Sequence, residues 1–584
     1  MIVRNRRGLL YAIVFLIIII TALVIFIFTD NSVSNIPTEY PDYLNHPSYP
    51  IKVLDVEDIQ DQIIVEEDVA VVVRDGTRLS ANVYRPVASG NYPVIMSFTA
   101  YGKDRGPDQY PRYLRSVPML PEYDMGTIEV SSWTSWEGPD PAFWVPNGYV
   151  VVYVDTRGYF GSEGDASLLS EQDGEDFYDA VEWAAGMEWS NGNVGLTGVS
   201  YLAISQWVAA TTNPPSLKAI MPWEGMSDGL REVLYHGGIP ETAFVTFWLD
   251  RLGQGADSRP VPPPRVFRFA HKRIQLLQQL QPPAAIQLDQ IKMPALIAAT
   301  WSDHGMHTRG SFEGYKQIAS EQKWVFTHGR AKWETYYSDE ALALQKQFFD
   351  HFLKNADNGM DAVPPVRLEI REDLDTYQVR YEDDWPIPRT EYRELYLDGG
   401  TQTLQETLPA TAATTTYNSE SGRAAFNITF DEDTELSGNM KLKLWVSTSA
   451  GSDLDLFVGV KKLDNTGEEV FFHGKAGFNR APVSMGWLRV SERELDVVKS
   501  TEWQPILTHA NSQKISRDEI VPVEIEILPS STLFRAGESL QVVIQGTDVT
   551  DHFSLAHTYS INVGDHSIYT GADYDSHLLV PVIP

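Results

Sequence analysis

The segment Asn193-Val194-Gly195-Leu196-Thr197-Gly198-Val199-Ser200-Tyr201-Leu202-Ala203 runs from a β-type stretch through one tight turn into a helical stretch. A serine on such a turn is pushed clear of the backbone, and the next N–H, that of Tyr201, points where an oxyanion would develop. The match to G-x-S-x-G is incomplete, since the fifth position is Leu202, and an isolated serine here is equally an ordinary helix N-cap. Two further residues sit at strand ends downstream. Met293 to Thr300 reads as a strand followed by Trp301-Ser302-Asp303, and Lys323 to Thr327 as a strand ending at His328. A serine, an acid and a base in that order point to nucleophilic acyl transfer, with Ser200 as nucleophile, His328 as base and Asp303 as its orienter. Taken singly, Asp303 reads as a helix cap and His328 as a hydrogen-bonded core histidine. The chain has no cysteine, so covalent chemistry falls to Ser, Thr, Lys or a carboxylate. His304 and His307 have H-x-x-H spacing with no third ligand in view, so no metal is expected. Gly158, Gly161 and Gly164 miss the G-x-G-x-x-G spacing and read as a turn supporting the site, so no cofactor is expected either. Glu224, Asp228, Glu232 and Asp250 would suit a substrate ammonium, or simply a solvated face.

These residues need a scaffold, and the apolar pattern supplies one. Ile63 to Val73 and Leu79 to Tyr84 flank Arg74-Asp75-Gly76-Thr77, predicting an antiparallel hairpin. Short continuous apolar runs follow at Val94–Phe98, Tyr149–Val154, Val194–Thr197, Ala219–Met221, Ala295–Thr300 and Trp324–Thr327. Runs of this kind suit strands buried on both faces. Helices are predicted at Glu175–Ala185 and Tyr201–Ala210, so residues 61–225 and 291–362 read as an α/β sheet. Residues 226–290, with Pro262-Pro263-Pro264 and a Gln-rich stretch from Gln275 to Gln281, break the rhythm and read as an inserted cap. From 363 to 584, alternating runs such as Lys441–Val446, Asp455–Val460, Pro522–Leu528 and Leu540–Ile544 predict an all-β sandwich or jelly roll.

The N-terminus addresses location. Arg4, Arg6 and Arg7 precede an uncharged apolar run, Gly8 to Phe28, whose 21 residues span about 31 Å as a helix, the thickness of a bilayer core. The run is longer than a signal-peptide h-region and ends without small residues, so residues 1–30 are expected to be an uncleaved single-pass anchor. The flanking arginines place the N-terminus in the cytoplasm and the body outside it or in a lumen. Residues 31–60 read as a spacer, and Asn427-Ile428-Thr429 as a candidate glycan acceptor. The 46 Lys plus Arg against 79 Asp plus Glu leave a net charge of −33, which repels polyphosphate and excludes nucleic acid as an expected partner.

The order Ser, Asp, His is that of α/β-hydrolases. Further motifs sharpen the likeness: Tyr84-Arg85-Pro86, Ala100-Tyr101-Gly102-Lys103, Asp155-Thr156-Arg157-Gly158, Gly161-Ser162-Glu163-Gly164, Gly198-Val199-Ser200-Tyr201 and Trp301-Ser302-Asp303. From about residue 65 to its end, the chain resembles the cocaine esterase, X-Pro dipeptidyl peptidase and α-amino-acid ester hydrolase group of serine hydrolases. That resemblance implies a hydrolase core, a helical cap and a C-terminal jelly roll. It also implies Ser200, Asp303 and His328 as the triad, with an oxyanion hole formed by the Tyr201 N–H and the Tyr101 hydroxyl. Two departures stand out: Ala203 where the group has glycine, and Thr327-His328-Gly329-Arg330 where it has G-P-W-x-H. The expected activity is hydrolysis of ester or amide bonds of small acyl or short peptidyl substrates through an acyl-enzyme. The alternatives are an X-Pro dipeptidyl-peptidase-like aminopeptidase, which needs a carboxylate anchor in the cap, and an inactive surface binding module.

Overall fold

A computed structural model describes residues 50–106, 122–255, 286–552, 555–558 and 560–584. Ten strands form the first sheet: β1 (Ile63–Val72), β2 (Arg78–Pro86), β3 (Tyr92–Thr99), β4 (Val150–Asp155), β5 (Ser190–Val199), β6 (Leu217–Trp223), β7 (Ala295–Thr300), β8 (Lys323–His328), β9 (Val366–Arg371) and β10 (Tyr377–Glu382). They lie in the spatial order β1-β2-β4-β3-β5-β6-β7-β8-β9-β10. The first two pairings and the last are antiparallel, the rest parallel. The expected hairpin and all six apolar runs fall on these strands. β4 is buried at every position, as a strand covered on both faces must be.

Helices α1 (Glu171–Ala185), α2 (Tyr201–Thr211), α4 (Thr308–Gln317), α5 (Lys332–Tyr336) and α6 (Asp339–Lys354) belong to this layer, and α3 (Phe244–Gly255) to the segment inserted between β6 and β7. Helix α1 starts four residues before its apolar period because Ser170 and Asp173 form a reciprocal capping box. α6 packs so closely on β5 that a Cβ at Gly195 would meet Phe349 at 2.6 Å.

After Glu391 the chain is all-β. Glu391–Asp398 pairs with His577–Ile583, which pairs with Thr434–Thr448, which pairs with Val521–Phe534. Asp455–Leu463 and Arg423–Thr429 flank Ser539–Gln545. Leu442, Leu444, Val458, Ile525, Val542 and Leu578 are among the residues of the core these strands enclose.

Several expectations need adjustment. Past the boundary read at residue 362, β9 and β10 add to the edge of the α/β sheet, and Arg371 pairs with Thr532 of the all-β domain. The spacer read over 31–60 contains Ile51–Leu54, a strand parallel to Ile128–Ser131. Within the inserted cap, the described residues hold one π-helical turn (Leu230–Leu234), a two-residue hairpin and α3, while Gln275–Gln281 lies outside the described residues. The Gly8–Phe28 run also lies outside them, and among the described residues no helix is long and apolar enough to cross a membrane.

Candidate active site

β5 ends at Val199 and α2 begins at Tyr201, leaving Ser200 on the turn with φ 59° and ψ −116°. A non-glycine residue at positive φ carries strain of about 1–3 kcal/mol and persists only where its surroundings hold it. Here the Val199 N–H donates to the Glu137 carbonyl at 3.0 Å and the Ser200 N–H to the Trp223 carbonyl at 3.0 Å. Gly198, at φ 141°, has no room for a side chain, since a Cβ would stand 2.5 Å from Leu202 Cβ. The unusual Ala203 packs on Gly225, whose own Cβ position lies 3.2 Å from Ala203 Cβ.

The imidazole at the serine is that of His307, with Nε2 3.1 Å from Ser200 Oγ. β7 delivers it: after Thr300 the chain turns through Asp303, whose carbonyl accepts from the N–H groups of His307 and Thr308, and α4 starts at once. The i, i+4 relation brings Asp303 Oδ2 to 3.9 Å from His307 Nε2. The same carboxylate oxygen accepts from Lys332 Nζ at 2.8 Å, at the start of α5. All four side chains are buried.

His328 is placed differently. It closes β8 with its ring stacked on Trp223 and its Nε2 2.9 Å from Glu224 Oε1, although misaligned for a hydrogen bond. Thr335 Oγ1 lies 3.4 Å from its Nδ1. The following Gly329 N–H and Arg330 guanidinium both donate to Glu369. Its described contacts are thus those of a core histidine, and the structure brings Ser200, Asp303, His307 and Lys332 together without it. The sequence offers His307 only as half of an H-x-x-H pair; the signal that points to it is its spacing of four from Asp303. Among the described residues no group of three or more His, Cys, Asp or Glu is arranged to hold a metal ion.

Charge at the site is set by burial and by two lysines. Burial, then Lys332, push the His307 imidazole well below the ordinary histidine range, with Asp303 opposing them. Burial alone would raise Asp303, but Lys332, His307 and Lys475 hold it below the usual carboxylate range. Lys332 is raised despite burial, because Asp303, Glu224 and Glu137 surround it. Glu224 goes the other way: burial pushes it well up, and Asp303 adds to the effect. Lys475, a buried lysine of the all-β domain whose ammonium lies 3.7 Å from the Phe244 ring centroid, is lowered to about 8 by burial. A neutral imidazole therefore faces the serine beside an ionised Asp303–Lys332 pair.

Tyr101 ends the turn after β3, with its ring 5.7 Å from that of Tyr201. Its hydroxyl oxygen accepts from Trp248 Nε1 of α3 at 3.0 Å. Two of the candidate anchor acids are engaged elsewhere, Asp228 with Arg231 at 2.5 Å and Glu232 with Arg309 at 3.0 Å, while the side chain of Asp250 lies outside the described residues.

The chain is similar to several known proteins. Residues 75–285 match the X-Pro dipeptidyl-peptidase (S15 family) profile, and residues 358–579 the X-Pro dipeptidyl-peptidase C-terminal non-catalytic domain. The crystal structure of a CocE/NonD family hydrolase from Staphylococcus aureus superimposes with a TM-score of 0.85 at 42% identity, covering 93% of this chain and 100% of that one. The chain belongs to the CocE/NonD hydrolase family. Another relative, cocaine esterase from a Rhodococcus species, is 26% identical over 619 residues, spanning 89% of this chain and 98% of its own. A putative Xaa-Pro dipeptidyl-peptidase of Bacillus anthracis is 27% identical over 220 residues, a third of either chain. The relatives thus include proteins named as an esterase and as a dipeptidyl-peptidase, and the hydrolase fold and C-terminal all-β domain are both present here.

Proposed function

We propose that this CocE/NonD hydrolase cleaves ester or amide bonds of small acyl or short peptidyl substrates through an acyl-enzyme, with Ser200 as nucleophile and His307 as its base. The observation that carries the reading is the 3.1 Å contact between Ser200 Oγ and His307 Nε2 on a strained elbow. That distance lies within the reach of a general base. A neutral His307 takes the hydroxyl proton as Oγ attacks the carbonyl, then returns it to the leaving group. The resulting imidazolium is stabilised by the ionised Asp303, while Lys332, already bonded to Asp303, keeps that carboxylate in place. The Tyr201 N–H and the Tyr101 hydroxyl are proposed to receive the oxyanion. With its oxygen accepting from Trp248, the Tyr101 hydroxyl must aim its own hydrogen elsewhere.

Labelling with a fluorophosphonate tests the nucleophile. Ser200→Ala should abolish it without unfolding the chain, and undiminished labelling would end the proposal. A screen of acyl esters, amides and X-Pro amides then sorts substrates. Because Asp228 is paired with Arg231 and Glu232 with Arg309, an X-Pro peptide amine would have to meet a different carboxylate, and the screen separates that reading from ester and simple amide hydrolysis.

We further propose, from the Arg-flanked run Gly8–Phe28, that the chain is anchored in a membrane with its body outside the cytoplasm. Full-length protein should stay with membranes in alkaline carbonate; its release would refute the anchor.

A further inference from the structure

Behind the loop that carries Asp303 and His307 lies a buried chain of polar contacts with no part in the reaction described above. Asp548 Oδ1 is 2.6 Å from His557 Nδ1, and its Oδ2 accepts from the His557 backbone N–H at 2.8 Å. His557 Nε2 is 2.8 Å from His236 Nδ1. His236 Nε2 faces two carbonyl oxygens, Gly305 at 2.9 Å and Glu232 at 3.1 Å. Both rings are buried, and His236 lies against Trp487 with centroids 4.8 Å apart. The chain joins the all-β domain to the cap and, through Gly305, to the peptide between Asp303 and His307. Gly305 is at φ 74°, and a Cβ there would stand 3.1 Å from His236 Cε1, so ring and loop meet without slack.

The protons on this chain can be counted. Two carbonyl oxygens are acceptors only, so His236 Nε2 must carry hydrogen. A ring neutral in this way has a bare Nδ1, which must receive a hydrogen from His557 Nε2. His557 Nδ1, 2.6 Å from a carboxylate oxygen, needs a hydrogen of its own. Both nitrogens of His557 are then protonated, and because imidazole is a stronger base than carboxylate, the charge belongs to the ring. With one proton fewer, a lone pair faces a lone pair somewhere along the chain.

We propose that Asp548, an imidazolium at His557 and a neutral Nε2–H tautomer of His236 form a latch that positions the Asp303–His307 peptide for catalysis. Burial, then the neighbouring His557, lower His236 to about 3, in keeping with a neutral ring beside a charged one. These are positioning residues. Their effect on rate rests on His307 being the base, whereas their protonation states do not.

The test uses the full chain. In 15N-histidine NMR at pH 7, with resonances assigned by their loss in His236→Gln and His557→Phe, His557 should show two protonated nitrogens and His236 a proton on Nε2 only. A neutral His557, or a bare Nε2 on His236, overturns the latch whichever histidine serves Ser200. Kinetics supplies the second arm. His557→Phe keeps the ring packing but no hydrogen bond, and should lower kcat at least tenfold with KM within threefold. Asp548→Asn should keep kcat within threefold, because its amide N–H donates to a His557 that is now neutral and still donates to His236. An Asp548→Asn variant that folds but loses as much kcat as His557→Phe would refute the proton count, and His557→Phe with wild-type kcat would refute the positioning role.

Discussion

His307→Asn separates the two histidines that compete for the role of base. The residue immediately precedes α4, where asparagine serves well as a cap, so the helix survives the change. What is lost is the nitrogen 3.1 Å from Ser200 Oγ. A positioned general base contributes about 10²–10⁴ in rate, which at about 1.36 kcal/mol per decade is about 2.7–5.4 kcal/mol of barrier. The acylation burst with an activated acyl ester, measured at saturation by stopped flow, should slow by that factor. His328→Gln should instead leave the burst within about fivefold of wild type and cost about 1–3 kcal/mol of stability, because His328 sits among Glu224, Trp223 and Thr335. The pH profile gives an independent reading. Burial and Lys332 keep His307 neutral well below its ordinary range, so the acid limb of kcat/KM should fall below pH 6.5. A burst in His307→Asn within tenfold of wild type, or a larger loss in His328→Gln, would refute this assignment.

Two further outcomes follow from neighbouring groups. Tyr101→Phe removes one oxygen and keeps the ring; as the loss of an oxyanion donor it should cut kcat by about 10²–10³, and a change of only a few-fold would leave Tyr101 a packing role. Acid should destabilise the fold above the ordinary carboxylate range. His236, His304 and His328, lowered to about 3, His552 and His566, lowered to about 4, and His307 stay neutral in the native state, chiefly through burial, while their unfolded counterparts take up protons below about pH 6.5. Asp155 and Glu232, raised to about 7 by burial, and Glu224 act in the opposite sense. Near pH 6 the histidines outweigh these strongly raised carboxyls, a net loss on acidification on the order of 2 kcal/mol per pH unit. The melting temperature should therefore drop from pH 7 to 5.5, and a flat or rising value would contradict the balance.

The strands were legible because burial on both faces writes itself as short apolar runs, and β7 matches its run, Ala295–Thr300, end to end. The elbow was legible because Gly198 and Ser200 straddle a change of period. Less visible was β10, whose Tyr377, Val379 and Tyr381 alternate with polar residues but stay exposed, while Arg380 pairs with Glu382 and with Glu435 of the all-β domain, so no buried apolar run marks the strand. The proximity of His307 to Ser200 was not legible from chain order. Chain order alone points to the strand-end histidine, whereas reach to Ser200 depends on the tight turn after β7, which folds His307 back by one helical step. The lysine on Asp303 left no pattern, because Lys332 acts through a fold contact across 29 residues.

The contact between His236 and His557 has a consequence for biosynthesis. The two residues are 321 positions apart, so at about 5–20 residues per second the ribosome needs about 16–64 s to deliver the second after the first. Over that interval the strands carrying Ser200 and Asp303 are already available to pair, while the all-β support behind the Asp303–His307 loop does not yet exist. The Asp303–His307 loop therefore gains the contact that His557 makes through His236 only after the strands around it have been synthesised.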